Sequence, residues 1–207
     1  RGKDYFDYNG DCNISAEKIA KNDEGVEETW YMSDIYNSSL LILGPPGGDY
    51  SDYNNRTEGY FRFKKNYGEF VKNNANRPEV IYAAANNGIL HAISTQKTGD
   101  WEAGEEIWGF IPPLIVPKLP LIINQSLNTA GKGGGSIPKF LLDGSPVVHD
   151  TYFDHPSENK PLNWYTLLII PYGRAGAGFS VLDITDVKNP NHVYSILNDA
   201  SSKSIYK

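Results

Sequence analysis

Apolar positions along the chain come in short runs bounded by Gly, Pro and Asn, the texture of many brief strands rather than of helices. The runs predict strands over Asp34–Leu43, Val80–Ala85, Gly88–Ser94, Ile107–Ile111, Lys139–Leu142, Pro146–Tyr152, Tyr165–Pro171, Gly178–Ile184 and Val193–Leu197. Ahead of them, residues 1–29 are polar and acidic with no sustained period, and read as an irregular lead-in with a short helix around Ser15–Lys21. Asn86-Asn87-Gly88 lies between two apolar runs and predicts a tight type I′ hairpin, in which both central residues take positive φ. Gly173–Gly178 predicts a looser glycine hairpin later in the chain.

The runs fall into one unit written twice. Each copy holds four successive strands, and four antiparallel strands repeated make the blade of a β-propeller, which buries its faces only against neighbouring blades. The fold expected is therefore all-β: a partial β-propeller of about two four-stranded antiparallel blades over residues 30–207. The first copy carries a long insertion, residues 44–78, rich in Gly, Tyr, Asn and charge. A Pro- and Gly-rich linker, residues 112–138, joins the copies, with Leu114–Ile123 expected to form a short helix or turn over a blade edge. Two blades are too few to close a ring, and the chain opens on Arg1 without an initiator Met, so it is read as a piece of a longer protein.

Charge narrows the function classes. With 19 basic and 25 acidic side chains, the net charge is -6 and the cations are scattered, which argues against nucleic-acid binding. The longest aliphatic stretches are far shorter than the roughly 20 residues of a membrane helix, so no membrane span is expected. Cys12 is the single cysteine and cannot form an internal disulfide.

Five strings, in order along the chain, carry a family resemblance: Trp30–Leu40, Arg77–Ile93, Trp108–Pro113, Asp143–Pro146 and Gly176–Asp186. They resemble the propeller motifs of the PilC/PilY family of type IV pilus tip proteins, with departures at Ser33, Asn87, Ile89 and Ile93 that suit strand or hairpin positions. The resemblance implies a quinoprotein dehydrogenase-like propeller in a protein of the bacterial outer surface, carried at the pilus tip. It further implies roles in pilus biogenesis, in adhesion to host or abiotic surfaces and in calcium-dependent control of retraction. The expected partners are minor pilins or the tip complex, and the remaining propeller blades. The family's calcium loop is expected outside this chain, so no residue here inherits it.

Candidate chemistry is sparse. Asp7, Asn9 and Asp11 alternate as calcium ligands do, but Gly10 and Lys18 fall where a calcium loop needs other residues, which leaves either a bound calcium or a solvated Asx turn. His91, in a predicted central strand, reads as a hydrogen-bonded structural imidazole. Ser145, His149 and Asp150 lie too close along one strand to converge as a triad. Tyr50, Tyr53, Tyr60 and Tyr67 crowd the insertion and are candidates for contact with a partner; the alternative is that they pack the insertion onto its own blade. No catalytic or cofactor-binding residue is assigned. The leading expectation is a non-enzymatic interaction protein, against a quinoprotein-like dehydrogenase or a generic secreted adhesin.

Overall fold

The computed structural model describes residues 20–21, 27–28, 32–119, 140–156, 161–198 and 204–206. The chain divides into two units, Arg1–Asp34 and Ile35–Lys207. In the first, β1 (Ala20–Lys21) pairs antiparallel with β2 (Glu27–Glu28). The helix expected around Ser15–Lys21 is corrected at Ala20–Lys21, which pair as a strand; residues 15–19 lie outside the described residues.

The second unit holds two antiparallel meanders. The first sheet runs β3 (Leu41–Leu43), β4 (Val80–Ala84), β5 (Leu90–Ser94) and β6 (Glu106–Phe110) in chain order. The second runs β7 (Val147–Phe153), β8 (Asn163–Pro171), β9 (Ala177–Asp183) and β10 (Asn191–Asn198), with β11 (Ser204–Tyr206) added at its edge. These are two blades of a β-propeller, the second carrying one strand more than the repeat predicts.

One core lies between the blades, because alternate residues of each strand face the same side. Val80, Tyr82, Leu90 and Ala92 of the first blade share it with Leu168, Ile170, Leu182 and Ile184 of the second. Trp108 closes the junction by donating its indole N–H to the Val187 carbonyl at 2.8 Å. Pro112 accepts the N–H of Ile115 at 2.8 Å and leads into a 3-10 turn at Val116–Lys118, which seats Ile115 in that core.

Three local expectations change. Only Leu41–Leu43 of the Asp34–Leu43 run joins a ladder, since Asn37 and Ser39 bond across to residues 143 and 145 rather than to a strand. Phe140–Leu142 is not a strand: the Leu141 N–H bonds the Asn86 carbonyl at 3.0 Å, and Leu141 and Leu142 plug the inter-blade core. At the hairpin between β4 and β5, Gly88 alone has positive φ, at +89°, and both Ala85–Gly88 and Ala85–Ile89 backbone bonds form. That is a three-residue loop with a glycine bulge rather than a type I′ turn. Gly88 is required twice over, because a Cβ there would also stand 3.1 Å from Ile115 and from Leu141.

The insertion is not a loop. It folds into α1 (Glu58–Lys64) and α2 (Tyr67–Asn73), separated by Asn66 in the left-handed region. Thr57 caps α1 by accepting the Tyr60 N–H at 3.2 Å.

Candidate functional site

Two constructions stand out, and both are made by segments far apart in sequence. The first joins Asn37 to Asp143. The Asn37 backbone N–H and side-chain amide donate to the two Asp143 carboxylate oxygens at 3.2 and 2.8 Å, and the Ser39 N–H donates to Ser145 Oγ at 2.9 Å. Arg174 adds its charge, with Nε 3.7 Å from Asp143 and its guanidinium over the Phe140 ring at 4.8 Å. Gly144 lies between these anchors, and a Cβ there would sit 2.5 Å from the Pro171 carbonyl oxygen. The Asp143–Pro146 string is thus a clamp that ties the run-in of the first blade to the second blade.

The second construction is the seat of the insertion. Its two ends are held by Arg77, whose Nε and guanidinium nitrogen reach the Gly44 carbonyl at 2.9 and 2.5 Å while the other nitrogen donates to Thr166 Oγ1 at 2.7 Å. The Thr166 hydroxyl donates in turn to Asp150 at 2.7 Å, and Asp150 also accepts from the Tyr67 phenol. Burial first, and then the hydrogen bond to Asp150 and its charge, push the Tyr67 phenol up to about 12 against the lowering by Arg62. Burial lowers the Arg77 guanidinium, opposed by the Asp150 charge.

Beyond this polar seam the insertion's aromatics close on the second blade. Tyr67 and Phe70 form a second core with Trp164, against Val71 and Tyr152. Tyr67 meets Trp164 edge-on at 4.8 Å, and the Trp164 indole N–H donates to the Lys65 carbonyl at 2.8 Å. The alternative to partner contact, packing on the insertion's own blade, is corrected for Tyr67: it packs on Trp164 of the other blade, whose ring is inclined 57° to that of Tyr152.

Of the four insertion tyrosines, Tyr50 and Tyr67 meet. Tyr67 is fully buried in the seat. Tyr50 packs edge-on against Tyr67 at 5.9 Å and stays 44% exposed, Tyr53 is 93% exposed, and Tyr60 is half-buried beside Phe63. Asp7, Asn9 and Asp11 lie outside the described residues. His91 Nδ1 is 2.7 Å from Glu106 on the neighbouring strand. His149 meets Glu58 of α1 at 3.2 Å while Asp150 serves the seat, so Ser145, His149 and Asp150 make no triad. Among the described residues no helix is long and apolar enough to cross a membrane.

Sequence reasoning missed the two helices and the seat. The signal was present: Tyr67, Phe70 and Val71 fall at i, i+3 and i+4, and Thr57 precedes Glu58 as a helix cap.

Comparison with known proteins gives a consistent picture. The family model of the PilY1 beta-propeller domain matches residues 32–201. A type IV pilus biogenesis factor PilY1 homolog of Xylella fastidiosa is 32% identical over 158 residues, 76% of this chain and 11% of the relative. Type IV pilus biogenesis factor PilY1 of Pseudomonas aeruginosa PAO1 is 33% identical over 165 residues, 80% of this chain and 12% of the relative. The crystal structure of the P. aeruginosa PilY1 C-terminal domain is 26% identical, with 75% of this chain and 25% of that one covered, at a TM-score of 0.47. The chain spans only about a tenth of the length of these curated relatives.

Proposed function

The chain belongs to the PilY1 β-propeller family, and from that premise we propose that it is a non-enzymatic interaction module supporting type IV pilus biogenesis and surface attachment from the bacterial outer surface, at the pilus tip. The observation that carries the reading is the unbroken family match over residues 32–201, which includes both blades, the Asp143 clamp and the Arg77 anchor. The proposed partners are the remaining blades of the propeller, minor pilins or the tip complex, and a host or abiotic surface.

The two outward blade faces support a place within a longer propeller. Ile42, Ile81 and Ile93 are cross-strand neighbours and form an apolar row on the face of the first blade away from the core. Val147, Ile169, Val181 and Tyr194 form the matching row on the second, in which Val181 is already buried. Ile42 and Val147 are 58% and 53% exposed. Tyr53 and Tyr50, on the insertion, are the side chains proposed to meet a pilin or surface.

The test is made in the native bacterium. Replacing the region of residues 35–198 in frame is expected to abolish surface pili, and Tyr50→Ala with Tyr53→Ala to reduce capture of minor pilins in a pull-down. Normal piliation without the region would overturn the pilus reading. Undiminished pilin capture and surface attachment by the double variant would overturn the role of the tyrosines.

A further inference from the structure

Beside the insertion seat, α2 leans over the end of the second blade and leaves a cavity of about 420 Å³. This volume lies within the ~300–1,000 Å³ range of small-molecule sites. Its apolar wall is aromatic: Phe70 and Trp164 behind, and the half-buried Tyr152 in front. Trp164 has committed its indole N–H to Lys65, so what it contributes to the wall is ring surface rather than a donor.

The polar lining consists mainly of amides. Asn73, Asn74 and Asn163 come from the end of α2, its C-cap and the start of β8. Two of these amides are already oriented by the fold: Asn74 Nδ2 donates to the Phe70 carbonyl at 2.8 Å, and Asn163 Oδ1 accepts the Trp164 N–H at 2.8 Å. Asn163 therefore presents its amide nitrogen. The lining also holds one cation, Lys65, with Nζ 5.1 Å from the Tyr152 ring centre, one anion, Glu69, which accepts from Asn66 at 2.6 Å, and Asn66, Tyr165 and Thr185.

This combination selects among ligand classes. A phosphate or sulfate ligand would meet one lysine offset by Glu69, and a purely apolar ligand would displace water from the exposed Asn73 and Asn163 amides without replacing its hydrogen bonds. A neutral saccharide satisfies both halves, its hydroxyls pairing with amides and carboxylate while its C–H faces lie on the aromatic wall. We propose that this cavity is a binding site for a neutral glycan of one or two sugar rings. The site stands on its own lining and holds whether or not the pilus reading does.

The test is calorimetric titration of the full chain with N,N′-diacetylchitobiose, lactose and mannobiose, read in parallel by tryptophan fluorescence. Saturable binding of at least one sugar is expected, weakened about fivefold each by Asn73→Ala and Asn163→Ala, as loss of one hydrogen bond predicts. Asn73 and Asn163 are exposed, and unchanged circular dichroism and melting would show that the variants fold. The proposal is overturned if none of the three sugars binds at ~10 mM. It is equally overturned if both variants bind as the parent does, or if indole binds more tightly than any of the sugars.

Discussion

At the scale of single residues, the two buried phenols differ in whether they have a partner. Tyr67 donates a hydrogen bond to Asp150, whereas the Tyr82 hydroxyl, fully buried between the blades, has no hydrogen-bond partner among the described residues. Burial raises the Tyr82 phenol, with Arg77 opposing the shift. A buried hydroxyl without a partner carries its desolvation cost uncompensated, so Tyr82→Phe is expected to leave stability unchanged or raise it by about 1 kcal/mol. A urea unfolding curve on the variant checks this; a loss of stability would show that the hydroxyl is satisfied after all. Tyr67 has the opposite role and a pH signature. Its folded value of about 12 lies above the ordinary 10, so the unfolded chain loses its proton first as pH rises. The stability linked to Tyr67 is complete below pH 10 and is lost between pH 10 and 12. Tyr67→Phe should flatten that part of the stability profile, measured by thermal melting at a series of alkaline pH values.

At the scale of elements, the clamp explains why a short string without a strand of its own recurs in the resemblance. Asp143 and Ser145 hold the chain around Asn37 and Ser39, and Gly144 makes room for the Pro171 carbonyl. Gly144→Ala puts a methyl 2.5 Å from that oxygen, and the backbone on one side has to move. The expected cost is about 1–3 kcal/mol, seen as a lower urea midpoint, with Gly47→Ala as the control because a Cβ there meets nothing within 4 Å. Equal midpoints for the two variants would mean that the clamp yields freely. The glycine in this string could be read as a turn residue from sequence; that it is there for a close approach from residue 171 could not.

At the scale of the molecule, the two blades bury one face each and leave an apolar row on the other. The isolated 207-residue chain is therefore expected to self-associate, and paired Ile81→Lys and Ile169→Lys substitutions to shift it toward monomer by analytical ultracentrifugation. A monodisperse, cooperatively melting monomer of the unsubstituted chain would contradict the reading that these faces await neighbouring blades.

What the sequence determined by itself is local: strand-length apolar runs, the glycine hairpins and the doubling of a four-strand unit follow from periodicity and turn chemistry between near neighbours. The core hydrophobic residues of Val80–Ala84 and Tyr165–Pro171 are legible there, because alternation along a strand assigns each side chain to a face. What only the tertiary structure decided is which distant segments meet. Arg77 reaching Gly44 and Thr166, Asn37 finding Asp143, and Tyr67 closing on Trp164 join residues between 33 and 106 positions apart. The seat of the insertion belongs to the same class. Its helices are only seven residues each, and although Tyr67, Phe70 and Val71 mark an apolar face, nothing within residues 44–78 says that this face closes on Trp164 of the other blade.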